Sequence, residues 1–272
     1  MSTTVTYKGQ TLTTVENQTK TLNTAGTWVE GDFTLTDVTQ GGGGEWTTEG
    51  IGKGTEPNGT ITANYTIAEN AFYGKNGITS VVLTDGASVG ISAFMGCRGI
   101  TNLTSSVYCE ITGSNAFQNC IGLTNVALNG CGRIVGTAAF RQCSNLVEWH
   151  APDHGLDKNG NEMTWNVPMG SQVFYSCTKL ELVDYGHASG QYANCFFNTP
   201  LLRTLILRRV DGVCGINAWS RDAMGGIYQN PTESTIYVPQ ALISSYQTAT
   251  NWSTGYAAGL TFLPIEGSEY EL

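Results

Sequence analysis

Eight cysteines and three histidines carry most of the chemistry this chain could perform. A nucleophilic cysteine needs a histidine to take its proton, and only His150, His154 and His187 could serve. A structural metal site needs converging ligands, often announced by CxxC spacing, and no CxxC occurs. Disulfide frameworks belong mostly to short secreted chains, and 272 residues is not short. What sets Cys97, Cys120, Cys143 and Cys177 apart is position: each follows a phenylalanine, Phe94, Phe117, Phe140 or Phe174, by three residues. Such a column predicts buried thiols acting as small apolar side chains, while Cys109, Cys131, Cys195 and Cys214 fall elsewhere.

A second candidate is the stretch HAPDHGLDKNGNEMTWNVPM, residues 150–169. Asp157, Asn159 and Asn161 occupy the first three alternate positions of a calcium loop, but Glu162 stands where that loop needs glycine and Pro168 where it needs a bidentate glutamate. Asn159-Gly160 fits the tight turn of a hairpin better. His150 and His154 are four apart without a predicted helix to bring them together. The residues expected to face a ligand are His150, His154, Asp157, Asn159, Trp165, His187 and Tyr192. No paired carboxylates, Ser/His/Asp set or phosphate-cradling glycine loop stands out, so no enzyme, metal or cofactor is expected.

The elements that position these residues follow from a repeat. Phe72, Phe94, Phe117, Phe140, Phe174 and Phe196 are separated by 22, 23, 23, 34 and 22 residues, and Trp219 follows after 23 more. Six residues after each phenylalanine stands Ile78, Ile100, Leu123, Leu146, Leu180 or Leu202, and nine after it Val81, Leu103, Val126, Trp149, Val183 or Leu205. Gly90, Gly113, Gly136 and Gly170 each precede their phenylalanine by four. A period in this range marks a stacked architecture whose units bury their apolar face only against neighbours. Each unit reads as a turn around AFxxC followed by short alternating strands. The fold class expected is therefore mostly β with short helices or turns, about seven rungs of 22–23 residues. The rung core is Phe72, Phe94, Phe117, Phe140, Phe174 and Phe196 with Cys97, Cys120, Cys143 and Cys177. The long fourth interval places an insertion at 151–169, and insertions in repeats map to loops, often on a binding face.

The pattern AFxxCxxLTxVxL…VG resembles the BspA-type leucine-rich repeat. That resemblance implies a leucine-rich-repeat solenoid, in bacterial surface adhesins, protist surface proteins or virion proteins of phages infecting gut Firmicutes. LRTLILRRVDGVCGINAW and IYVPQALISSYQTATNWSTGYAAGLTFLPIEG are similar to the terminal cap of the phage-borne members. TKTLNTAGTWVEGDFTLTDV is similar to a small β module at the N-termini of phage structural proteins. The organisation expected is an N-terminal β anchor over 1–40, a glycine linker at 41–45, an N-terminal cap at 46–65, the solenoid over 66–230 and a C-terminal cap over 231–272.

Composition agrees with a displayed binding protein. Charged residues make up 13% and the formal net charge is −9, a surface poorly suited to a phosphate backbone. No apolar run is long enough to span a bilayer, and MSTTVTYKGQ lacks the start of a secretory signal. A phage reconciles an adhesin-like chain with that N-terminus, because virion proteins are made in the host cytoplasm and leave by lysis. The resemblance thus implies a virion protein attached to other virion proteins through 1–40, as a homo-oligomer on the particle. Its rod would adhere to a bacterial surface or mucosal glycan or protein, without nucleic acid or membrane insertion. A purely structural capsid or tail decoration protein and a bacterial cell-surface adhesin are the alternatives.

Overall fold

The structure, a computed structural model, describes residues 59–63, 66–84, 86–105, 109–128, 136–150, 169–191 and 193–272, together with the backbone of strands within 3–14, 20–22, 33–35 and 131–134. The chain begins with the strands β1 (Thr3–Tyr7) and β2 (Gln10–Thr14), an antiparallel hairpin. Next come β3 (Lys20–Leu22), β4 (Phe33–Leu35), β5 (Gly59–Ala63), β6 (Thr66–Ile67), β7 (Ile78–Leu83) and β8 (Ala87–Val89). The middle of the chain supplies β9 (Asn102–Ser105), β10 (Cys109–Ile111), β11 (Asn125–Leu128), β12 (Cys131–Ile134) and β13 (Glu148–His150). The last strands are β14 (Leu182–Asp184), β15 (Thr204–Ile206), β16 (Thr235–Val238) and β17 (Thr261–Pro264).

Two parallel sheets form opposite walls of a solenoid. The larger has eleven strands in the order β17-β16-β15-β14-β13-β11-β9-β7-β5-β4-β3, and the smaller has β12-β10-β8-β6. Ten strand gaps put the larger sheet at about 48 Å, well beyond the ~30 Å that seven rungs provide. The difference lies at both ends. β16 and β17, from the expected C-terminal cap, continue the sheet in register, Thr204 beside Thr235 and Thr235 beside Thr261. β3 and β4, from the expected separate module over 1–40, also join it: Thr21 pairs with Thr34, and Thr34 with Thr62 of β5. Parallel pairing with β5 gives these short strands a ladder, while among the described residues the β1–β2 hairpin forms a separate two-stranded sheet. The expected linker at 41–45 and most of the expected cap at 46–65 lie outside the described residues.

A third wall is made by the turns around each phenylalanine, whose backbone donors reach alternately to the next rung and back within the turn. The N–H groups of Asn70, Phe72 and Gly74 donate to the carbonyls of Ile91, Ala93 and Met95 on the next rung at 2.9, 2.7 and 2.8 Å. Those between them, Ala71, Tyr73 and Lys75, donate back three residues. The first and last positions of the turn require positive φ, which is why asparagine recurs there: Asn70 at 58°, Asn115 at 59°, Asn119 at 61° and Asn194 at 60°. Close approach explains the glycine column. A Cβ on Gly113 would lie 2.0 Å from the Gly90 carbonyl carbon, and one on Gly136 2.1 Å from the Gly113 oxygen.

The core runs along the rod axis. Phe94, Phe117, Phe140, Phe174 and Phe196 have no solvent exposure, and Phe72 has 1%. Their rings stack at 4.9 Å (Phe72–Phe94), 5.0 Å (Phe94–Phe117) and 5.3 Å (Phe117–Phe140), all within 8° of parallel. At Phe140–Phe174 the separation widens to 6.2 Å and the tilt to 23°. Trp149 is the cause: it stands where other rungs carry valine or leucine and meets Phe140 and Phe174 edge-on at 4.5 and 5.1 Å. Trp219 lies outside this stack, against Tyr228 of the helix α1 (Arg221–Gln229).

The cysteine column completes each rung. The thiols of Cys97, Cys120, Cys143 and Cys177 donate to the carbonyl oxygens of Phe72, Phe94, Phe117 and Phe140 on the preceding rung at 2.8, 3.1, 3.3 and 3.1 Å. The same oxygens accept the N–H of the residue three further on, Lys75, Cys97, Cys120 and Cys143, so both lone pairs are used. Burial pushes the Cys97 and Cys177 thiols up to about 12 and raises those of Cys120 and Cys143 as well. A protonated thiol is neither nucleophile nor good metal ligand. A thiol reagent should therefore leave these four unmodified in the native protein and modify them after unfolding without reductant. Rapid native labelling at any of the four would refute the ladder.

The C-terminal end is closed by α2 (Ile243–Thr248) and α3 (Trp252–Ala257). The buried Tyr246 hydroxyl accepts the Cys214 N–H at 2.9 Å, and the Trp252 indole donates to the Cys214 carbonyl at 2.7 Å. One loop thus has both backbone groups satisfied by the cap. Among the described residues no helix is long and apolar enough to cross a membrane.

Candidate ligand-binding face

Alternation along the large sheet sends one set of side chains into the core and the other outward. Inward go Val81, Leu83, Leu103, Val126, Leu128, Trp149, Val183 and Leu205, all buried. Outward positions lie eight and ten residues after each phenylalanine and align across the strands in two rows. One row runs Thr60, Ser80, Asn102, Asn125, and β13 continues it with Glu148. The other runs Thr62, Val82, Thr104, Ala127, His150. From β5 to β11 six of the eight positions on this face are hydroxyl or amide, and β13 adds Glu148 and His150; Asn125 and Glu148 are exposed.

Side chains bind one another along the rod. Asn125 donates its amide to the Asn102 carbonyl oxygen at 3.3 Å, and Asn102 donates to the Thr101 hydroxyl at 2.9 Å. The hydroxyls of Thr101 and Thr124 donate to the carbonyls of Thr79 and Thr101 at 3.2 and 3.4 Å. At β13 the His150 Nε2 lies 3.2 Å from the Glu148 carboxylate.

Beyond β13 the rows continue as Leu182, Thr204, Thr235, Thr261 and Asp184, Ile206, Tyr237, Leu263, and over β14–β16 their apolar members are covered. Leu182, Ile206 and Ile265 form a small cluster with Tyr237 and Tyr270 packed against it. Tyr270 meets Tyr237 edge-on at 4.7 Å. Asp184, beside His150 in register, is buried with Arg208. Arg208 Nε donates to both Asp184 oxygens at 3.2 and 2.9 Å, Nη2 lies 2.8 Å from Oδ2, and Nη1 donates to the Tyr270 carbonyl at 2.9 Å. The Gly186 N–H supplies a further donor to Asp184 at 2.9 Å. Burial raises the Asp184 carboxyl above its ordinary range, and the Arg208 hydrogen bonds and charge oppose that rise. Burial, then the negative charge of Glu269, pushes the Tyr270 hydroxyl up to about 12, with Glu148 contributing. The C-terminal segment thus forms a step that ends the open polar face beside Glu148 and His150.

Of the residues expected to face a ligand, His150 is on this face. His187 lies in the loop after β14, where its charge helps hold the Asp211 carboxyl low, secondary to the hydrogen bond from Arg209. His154, Asp157, Asn159, Trp165 and Tyr192 fall outside the described residues, as does the insertion over 151–168. Among the described residues no three His, Cys, Asp or Glu side chains converge as metal ligands. Sequence reasoning passed over Ser80, Asn102, Thr104, Asn125 and Glu148, although they sit one position either side of the apolar column that revealed the strands.

Residues 65–169 match the family described as BspA type Leucine rich repeat region, in six copies. Among solved structures, the T. pallidum Leucine Rich Repeat protein is similar at 15% identity and a TM-score of 0.43, covering 74% of this chain and 82% of its own. A leucine-rich repeat protein from Bacteroides ovatus shares 14% identity with a TM-score of 0.28, covering 100% of this chain and 78% of its own. No curated protein matches significantly. Parallel strands, stacked phenylalanines and the match over 65–169 agree: the fold is a leucine-rich-repeat solenoid, and residues 65–169 of it match the BspA-type repeat.

Proposed function

We propose that this protein is a non-enzymatic adhesion module that binds a cell-surface ligand through the outer face of its large sheet. The observation that carries this reading is the contrast along that face. Over β14–β16 the outward rows carry Leu182, Ile206 and Tyr237 beside Asp184, Thr204 and Thr235, and the C-terminal segment covers their apolar members; over β7–β11, where no such cover lies, they carry Ser80, Asn102, Thr104 and Asn125, with Val82 and Ala127 as the small apolar members. Polar outward rows suit a surface that meets water and a polar ligand in turn. The finer reading is a phage virion protein of receptor-binding or tail-fibre type, carried by the similarity of residues 202–219 and 236–267 to phage-borne caps. In it many copies on one particle multiply a weak contact, and the N-terminal region attaches the chain to other virion proteins. The β1–β2 hairpin is the attachment element, because β3 and β4 belong to the rod.

The test is adhesion of the purified chain to intact gut Firmicutes. Wild type should bind, Asn102→Arg combined with Asn125→Arg should lose binding, and Glu110→Arg on the smaller sheet should retain it. Equal binding by the double variant would move the contact off this face. No binding by any form would leave a purely structural decoration role.

A further inference from the structure

We infer that the open face between β5 and β13 takes an extended, uncharged, β-linked glycan of a cell surface, laid along the rod axis with one sugar over each strand. This rests on the adhesion reading and specifies its ligand. The rows on this face form a lattice: Thr60, Ser80, Asn102 and Asn125 repeat at the strand spacing of about 4.8 Å, and the second row lies about 6.6 Å away along the strands. An extended β-linked chain of pyranose rings advances along its axis by nearly one strand spacing per sugar. Successive β-1,4-linked rings are turned over relative to one another, so rings on successive rungs present hydroxyls and acetamides from alternate edges to the same rows.

The chemistry of the rows selects the same ligand. From β5 to β11 their polar members are neutral amides and hydroxyls, β13 adds the Glu148 carboxylate beside His150, and no lysine or arginine is present to hold a polyanion. They contain no aromatic residue, and their only apolar members, Val82 and Ala127, are small and half-buried, so the face lacks the large anchors that dominate protein–protein contacts. Asn125 has one amide N–H committed to Asn102 on the preceding rung, and Asn102 has one committed to the adjacent Thr101 hydroxyl. An asparagine amide has a second N–H and a two-lone-pair carbonyl, so each retains capacity toward a sugar hydroxyl or acetamide. The ladder also holds these side chains in one orientation before the ligand arrives, which reduces the entropy lost on binding. The Tyr270 step closes one end beside Glu148 and His150, leaving β5, β7, β9, β11 and β13 as five rungs of track.

The measurement is calorimetry and NMR on the full chain with β-1,4-linked N-acetylglucosamine oligomers from dimer to hexamer. Affinity should rise with each sugar and level off at about five, as added contacts are made without a new association cost. The side-chain amide signals of Asn102 and Asn125 should shift, and Asn102→Ala with Asn125→Ala should weaken pentamer binding by about tenfold, near 1.4 kcal/mol. Length-independent affinity, unmoved amide signals, unchanged affinity in the alanine pair, or tighter binding of a polyuronate of equal length would each overturn the inference. Cell adhesion that persists without oligomer binding would overturn the glycan assignment alone. Loss of both would overturn the adhesion reading with it.

Discussion

Phe117→Ala is expected to lower the stability of the solenoid by about 3 to 5 kcal/mol, the range for removing a fully buried aromatic ring from a core. Phe117 has no exposed surface and is sandwiched between Phe94 at 5.0 Å and Phe140 at 5.3 Å. Truncation removes both stacking contacts at once. Relaxation cannot close the gap, because the flanking backbones are fixed to each other by ladders on three walls, including the Phe117 N–H bond to Ala139 at 2.7 Å. In a stacked protein each unit leans on its nearest neighbours, so loss at a central rung weakens two interfaces. Phe140→Ala, which removes a ring stacked on Phe117 at 5.3 Å and meeting Trp149 edge-on at 4.5 Å, should cost a similar amount. Urea unfolding followed by tryptophan fluorescence would report both. A Phe117→Ala midpoint within about 1 kcal/mol of wild type would show that the column does not carry the core.

The rungs were legible because their signal is local and repeated. A bulky ring every 22 or 23 residues, a thiol three further on and an apolar residue nine further on each reflect one packing position sampled many times. β3 and β4 were not legible, since residues 20–22 and 33–35 sit outside the phenylalanine spacing, and their place in the sheet is given by backbone register. β16 and β17 were hidden for a similar reason: helices and 3-10 turns replace the AFxxC turn before each of them. The candidate face was harder still. Histidine and aspartate draw attention because they are rare and reactive, yet the rows are built from serine, threonine and asparagine, which are common throughout the chain. Their meaning depends on register, which aligns residues 22 or 23 positions apart into one surface. The step beside them depends on Arg208 reaching Tyr270 across 62 residues, a contact with no periodicity behind it.

That step supplies the second large effect. Arg208→Ala should cost about 3 to 5 kcal/mol near neutral pH, the range for stranding one partner of a buried ion pair. The side chains of Arg208 and Asp184 are 9% and 4% exposed, and Arg208 also fixes the Tyr270 carbonyl. The pH dependence separates this cause from lost packing. Folding raises the Asp184 carboxyl through burial, against the opposing pull of Arg208. A carboxyl raised in the folded state contributes stability that is full below its unfolded value and is lost as pH climbs through the folded value. Without Arg208 the opposing pull vanishes, the folded value moves higher, and the loss extends over a wider span of rising pH. The gap between wild type and Arg208→Ala should therefore be widest near neutrality and shrink as pH falls toward the ordinary carboxylate range, where Asp184 is protonated and neutral in both. Adding Asp184→Asn to Arg208→Ala should restore part of the neutral-pH stability, because no buried charge is then left unpaired. Limited proteolysis should meanwhile show residues 266–272 cut faster in both variants, since each lacks the Arg208 hydrogen bond to Tyr270. A stability gap that stays constant across pH would identify lost packing of the arginine stem, not the stranded carboxylate, as the source of the cost.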